Sequence, residues 1–462
     1  MQDREIQRLP SSNKKTFVLW SIIIFALILD TSIANLGNLI STSFSAWKMY
    51  LYLSISIIFI VGQFFILRFL KQKNLARRTK TKLNFNILFK IVSIVQYTLA
   101  GILLITILQM VFTSYYSVVI LVVNIMLSYI LAISMMLLLA QRFFSWFRSK
   151  KNVVILLYGL ASATIAIELG LTLVITNALF ESINRTTGGA GLISLSPVYP
   201  ATIASLMISI NSFYIIFSIA SFIMTWVATA ILLRHYSVKL GKVKYWALVS
   251  LPLLYFLFQF VAFILNANVL FLSGNPILYS ILITLIFTLS KPIGGILFGV
   301  AFWTMAKDVS ANKAVREYLI IAGFGLIMLF ISDQAITLIA VAYPPFGLVT
   351  ISFLGLSSYM ILVGIFSSAI SVAEDSNLRK SIRDFAIGQS RLLDSIGSAQ
   401  MEREIEKRVL VFTKQIQDRM VEETGIEPSL TEDETKRYLE QVIREVKKQK
   451  TTHGTKNSNS NT

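Results

Sequence analysis

Four ionisable side chains stand inside long apolar runs: Asp30, Glu168, Lys291 and Asp333. A charge at the centre of a bilayer costs about 2.5–3.5 kcal/mol on insertion scales. Such residues therefore face a bundle interior and seek partners. Lys90 lies near the end of its apolar run and can snorkel to the interface, so it is set apart. Lys291 is the distinctive member because Pro292 follows it in "LSKPIGGILFG". A proline has no N–H, so the carbonyl of Thr288, four residues back, loses its helical donor. Hydroxyls nearby, or water, can compensate. A break beside a buried lysine is a candidate hinge, with Pro292 and Thr288 as its residues. Gly295 and Gly299 follow at GxxxG spacing, which permits close helix approach and is read as packing.

These residues need a scaffold that holds them at depth. The chain has 462 residues, 55% of them hydrophobic and only 14% charged. Soluble domains are about 25% charged. The apolar residues form blocks of about 20 or more, the length of helix that crosses a hydrocarbon core. Ten spans are read, near 16–38, 49–70, 87–112, 115–140, 153–179, 206–233, 246–271, 277–306, 318–342 and 347–372. The fold class is an all-α polytopic membrane protein of about ten transmembrane helices, with a C-terminal cytoplasmic helical, coiled-coil-like tail.

Loop charge sets the expected orientation. Alternate connections hold 4, 7, 4, 4 and 3 Lys/Arg, and the opposite set holds Lys48 and Arg185 alone. Positive loops stay inside. Both termini are then cytoplasmic, and the plasma membrane is the expected location. Counted from the basic flanks, the four intramembrane charges lie 15–17 residues deep. At ~1.5 Å per residue that is ~22–26 Å for each, a shared layer. The eighth and ninth spans form a hairpin, so Lys291 and Asp333 are level on neighbouring helices. An ion pair between them is expected. It could form a ligand site or simply lock two helices together. Asp30 and Glu168 are left without a partner. A carboxyl so placed favours its neutral form and could take up and release a proton, or hydrogen-bond a neighbouring helix.

The net charge of +18 does not point to nucleic acid. From Val372 on, 16 basic and 16 acidic residues balance, so the excess lies in the membrane region as 26 basic against 8 acidic. Topology accounts for it. With no cysteine and only His235 and His453, no thiolate or zinc-type cluster can form, and no metal or cofactor is expected. No nucleophile–base set, P-loop or kinase signature occurs, so an enzyme is not expected. The longest outer connection, from Glu181 to Ala204, is rich in Gly, Pro, Ser and Thr and is read as irregular. Within it Asn184-Arg185-Thr186 fits the glycosylation acceptor pattern, a short motif that also arises by chance. The first span, with its preceding lysines, also resembles a secretory signal peptide.

The composition changes after the last span. Residues 1–15 are read as a cytoplasmic segment, 16–372 as the transmembrane region, 373–425 as a linker and coiled-coil-like helix, 426–450 as a short amphipathic helix and 451–462 as a disordered tail. Leu378, Ile382, Phe385, Leu392 and Ile396 fall at alternating steps of four and three, with Gln389 and Ala399 in the same register. That is a seam suited to self-association or to a cytoplasmic protein partner. Ile405, Val409, Phe412 and Ile416 resume it out of phase.

Two functions fit. A receptor-like sensor would pass a membrane-side signal through the C-terminal helix to a cytoplasmic partner. A secondary transporter, proton-coupled through the charged layer, would move an unidentified small molecule or ion. A membrane scaffold with a structural ion pair is the third reading. The tail, the most distinctive feature outside the membrane, favours the sensor.

Overall fold

The computed structural model describes residues 11–36, 46–75, 82–113, 116–187, 201–264, 276–309, 313–334, 344–375, 379 and 390–424. Apolar blocks of this length satisfy their own backbone groups as helices, the form a single chain segment can take in hydrocarbon. Thirteen helices result among the described residues. They are α1 (Ser11–Leu36), α2 (Ala46–Leu75), α3 (Lys82–Thr113), α4 (Val118–Ser149), α5 (Val153–Thr187), α6 (Ala201–Leu233) and α7 (Tyr236–Leu240). There follow α8 (Lys242–Ile264), α9 (Pro276–Asp308), α10 (Lys313–Asp333), α11 (Leu348–Ser352), α12 (Leu354–Glu374) and α13 (Ser390–Thr424). No strand occurs among them. Ten segments are long and apolar enough to cross a membrane, the α11–α12 run counting as one. The protein is an all-α polytopic membrane protein.

The last span is buried from Leu348 to Ile370, and α10 packs beside it. Glycines set that closeness. A Cβ on Gly325 would come within 3.0 Å of the Ser357 carbonyl, and one on Gly364 within 2.6 Å of the Tyr318 carbonyl. The hairpin of α9 and α10 is as tight. A Cβ on Gly299 would stand 2.6 Å from the Gly323 carbonyl, and one on Gly295 2.8 Å from Phe330 Cβ. The GxxxG spacing thus sits on the face of α9 that meets α10. The first helix packs on α9 and α10. Its Trp20 stacks on Phe324 with ring centroids 4.7 Å apart.

Several boundaries differ from the expected ones, each for a local reason. The fourth span runs on to Ser149, because Phe143 and Trp146 are buried and Arg142 lies over the Phe366 ring, 4.9 Å from its centroid. The polar-looking "QRFFSWFRS" is therefore helix, not connection. The fifth helix continues to Thr187, and the sixth begins at Ala201. Nothing breaks the helix before Gly188-Gly189. Both ends of the expected irregular connection are therefore helical, and Asn184 belongs to the last turns of α5. The described helix of the ninth span runs to Asp333, and residues 335–343, where the expected span continues, lie outside the described residues.

The tail reading changes more. Leu392, Ile396 and Ala399, three members of the expected seam, are buried together with Leu393. They dock on this chain's own α12, α4 and α5. Trp146 Nε1 donates to Gln400 Oε1 at 3.1 Å, and Asn152 Nδ2 to Ser395 Oγ at 3.0 Å. Ser149 Oγ donates to Glu402 Oε2 at 2.5 Å. Gly397 permits the contact, since a Cβ there would lie 2.3 Å from Val372 Cγ1. An apolar stripe shows that a helix face will be covered, but not by which chain. Leu378, Ile382 and Phe385, the expected helix at 426–450 and the end at 451–462 lie outside the described residues.

Candidate functional site

Four helices bring the site together. Lys291 comes from α9, Glu168 from α5, Asp333 from α10, and Ser221 and Tyr214 from α6. The close approach of α9 and α10 at Gly299 and Gly323 sets a register that carries upward through Gly295 and Ile327 to Lys291 and Asp333. On the other side, a Cβ on Gly294 would meet the Phe222 ring at 2.3 Å, so α6 also reaches α9 closely. Three glycines around Lys291 therefore let three helices converge on it.

Lys291 Nζ lies 2.6 Å from Glu168 Oε1 and 2.5 Å from Asp333 Oδ2. All three residues are buried, with relative exposures of 3% for Lys291, 1% for Glu168 and 4% for Asp333. The ammonium also stands over the Tyr214 ring, 5.6 Å from its centroid. Ser221 Oγ meets Glu168 Oε2 at 2.8 Å and the Ser218 carbonyl at 2.9 Å. Asp333 is the last residue of α10, where the aligned peptide dipoles favour a nearby cation.

The proline break lies against this cluster. Pro292 is inside a continuous helix, α9. The Phe287 carbonyl, one turn before Lys291, accepts from Gln334 Nε2 at 2.6 Å and from Ser290 Oγ at 2.9 Å. Ser290 Oγ also faces Gln259 Oε1 of α8 at 3.0 Å. Gln334, just past the end of α10, thus engages the backbone before the break directly, and Gln259 of α8 reaches it through Ser290. Gln334 is adjacent in sequence to Asp333, so the break and the charge cluster share one residue pair.

The expected layer divides in two. Glu168, read as an unpartnered carboxyl, is instead a second partner of Lys291. Pairwise reasoning gave the lysine to Asp333 because those two share a hairpin. Glu168 comes from a helix more than 100 positions earlier, and the packing of α5 on α6, which itself packs on α9, brings them together. Asp30 stays apart from the cluster, but it too has a partner. Its Oδ2 accepts from the Thr350 N–H at 3.0 Å and from Thr350 Oγ1 at 2.7 Å. Thr350 lies in the first turn of α11, whose leading N–H groups have no acceptor within the helix. A carboxylate there satisfies one of them and complements the positive helix end.

Ser221, Tyr214, Gln334 and Gln259 complete the site and were not singled out as its members by their sequence positions. Ser221 and Tyr214 are ordinary residues of an apolar run and carry no signal of their own. Among the described residues no group of three or more His, Cys, Asp or Glu is placed to hold a metal ion.

No protein-family model, no curated protein and no solved structure matches the chain. Function is accordingly argued from the cluster alone.

Proposed function

We propose that the protein is a proton-linked secondary transporter of the plasma membrane, with the Glu168–Lys291–Asp333 cluster as its coupling site. One observation carries this reading: two buried carboxyls meet one buried ammonium, on three different helices. A structural lock needs one carboxylate per lysine. A second ionised carboxylate adds a desolvation cost that no further cation offsets among the described residues. Holding one proton makes the cluster neutral. Releasing that proton leaves a net negative charge shared among α5, α9 and α10, which alters the forces between those helices. A carrier needs that kind of linkage between proton occupancy and helix arrangement. The break at Pro292 offers the hinge about which α9 would move.

The receptor-like sensor is the second reading. It is favoured by the buried α12, which leads towards the tail helix, and by the docking of α13 on the ends of α4, α5 and α12. A signal that moved α12 would be felt at Val372 and hence at Gly397.

Proteoliposomes loaded with a pH-sensitive dye separate the two. A panel of amino acids, sugars, carboxylates and nucleosides is added outside and the internal pH followed. The transporter reading expects at least one solute class to move protons. The movement is lost in Glu168→Gln and in Lys291→Met, and kept when the chain is cut after Glu374. If no solute class moves protons and cutting after Glu374 abolishes the protein's cellular output, the sensor reading replaces it.

A further inference from the structure

We infer that the proton of the cluster resides on Glu168 Oε2, held there by Ser221 as its acceptor, and not on Asp333. The inference rests on the proton-linked reading and specifies its site.

Four carboxyl oxygens could carry the proton. Glu168 Oε1 and Asp333 Oδ2 each face the Lys291 ammonium, at 2.6 and 2.5 Å. An ammonium has donors only, and a hydroxyl oxygen is a poorer acceptor for it than a carboxylate or carbonyl oxygen, so these two oxygens are the unfavourable places for the proton. Glu168 Oε2 and Asp333 Oδ1 remain. A buried O–H needs an acceptor, or it forfeits a hydrogen bond in a medium that offers no water. Asp333 Oδ1 has no hydrogen-bond partner among the described residues. Glu168 Oε2 has Ser221 Oγ at 2.8 Å.

The serine decides the direction of that bond. Ser221 owns one hydroxyl hydrogen, and two acceptors stand within reach: Glu168 Oε2 and the Ser218 carbonyl at 2.9 Å. With Glu168 ionised, one hydrogen must serve both. With Glu168 protonated, its O–H donates to Ser221 Oγ and the serine donates to Ser218. Every contact then carries its own hydrogen. The charge count agrees. Lys291 and an ionised Asp333 neutralise each other, and Glu168 adds no further charge. The other ionisable groups near the cluster are Tyr214 of α6 and Tyr129 of α4, and a phenol is ordinarily neutral at neutral pH.

The arrangement makes Ser221 a positioning residue. When a rearrangement of the helices admits water to the cluster, the Glu168 O–H bond breaks, its proton passes to that water, and the serine hydrogen can turn from Ser218 to the new carboxylate. No side chain needs to leave its place, so the serine eases both protonation states.

Infrared spectroscopy of the full-length protein in lipid at neutral pH tests this without a known solute. The carbonyl stretch of a protonated carboxyl is read with isotope-labelled glutamate in one sample and isotope-labelled aspartate in another. The expected band moves with the glutamate label, vanishes in Glu168→Gln and shifts to higher frequency in Ser221→Ala, where its hydrogen bond is lost. Ser221→Thr restores the original position. A band that follows the aspartate label and survives Asp30→Asn places the proton on Asp333 and overturns the inference. So does a glutamate band that Ser221→Ala leaves in place, or the absence of any such band. The proton-linked reading itself stands or falls separately, on solute-driven proton movement.

Discussion

Lys291 Nζ bridges Glu168 Oε1 and Asp333 Oδ2, so one ammonium joins α5 to the α9–α10 hairpin. Removing one partner from a buried ionic group leaves the rest uncompensated, at about 3–5 kcal/mol. Lys291→Met should lower unfolding stability by that order. Adding Glu168→Gln and Asp333→Asn should recover most of the loss, because no carboxyl is then left facing an absent ammonium. Thermal unfolding of the wild type, Lys291→Met and the triple variant in one detergent checks both statements. A triple variant as unstable as Lys291→Met would contradict them.

The glycine contact below the cluster should be equally exacting. A Cβ on Gly299 would lie 2.5 Å from Ile327 Cγ1 and 2.6 Å from the Gly323 carbonyl. Backbone cannot yield as a flexible side chain does, so Gly299→Ala is expected to cost about 1–3 kcal/mol. Gly101, with nothing within 4 Å, is the control. Gly101→Ala should be neutral or stabilising by roughly 0.5–1 kcal/mol, since both are helical positions. Melting temperatures of the two variants should move in opposite directions or differ clearly in size.

Asp30 should matter for stability and not for proton coupling. Asp30→Ala leaves the Thr350 N–H without its acceptor, a loss of about 1–3 kcal/mol. Solute-driven proton movement by the folded fraction should stay near the wild-type rate. Loss of coupling in a stably folded Asp30→Asn protein would move this residue into the mechanism.

The tail contact can be trapped covalently, because the chain has no cysteine of its own. Asn152 Nδ2 and Ser395 Oγ are 3.0 Å apart. Asn152→Cys with Ser395→Cys should form an intramolecular disulfide on mild oxidation, seen as a linked peptide by mass spectrometry. Adding Gly397→Val should suppress the link, since Val372 already fills the space that the new side chain needs. An intermolecular link in place of the intramolecular one would favour the self-association first read from the seam.

Reasoning along the chain reached the membrane architecture because apolar length is a local property. A block of about 20 apolar residues must be helical in hydrocarbon wherever its neighbours lie. Lys291 and Asp333 were matched for a related reason: a short connection makes two helices antiparallel neighbours, and counting from the turn gives their levels. Glu168 escaped that logic. Depth counting placed it in the right layer, but no count along one helix says which face it turns or which neighbour it meets. The same limit applied to Ser221, whose role exists only because α6 lies against α5.

The sequence by itself determined how many helices cross and which ionisable groups they bury, because each follows from the transfer of a segment or a side chain between water and hydrocarbon. Only the tertiary structure decided that Asp30 meets the start of α11 while Glu168 meets Lys291. It also decided that Leu392, Ile396 and Ala399 of the tail seam are covered by their own chain. These are choices among partners of similar chemistry, made by helix packing. Small residues such as Gly299, Gly323 and Gly397 permit that packing, because they let backbones come close enough for one arrangement to exclude the others.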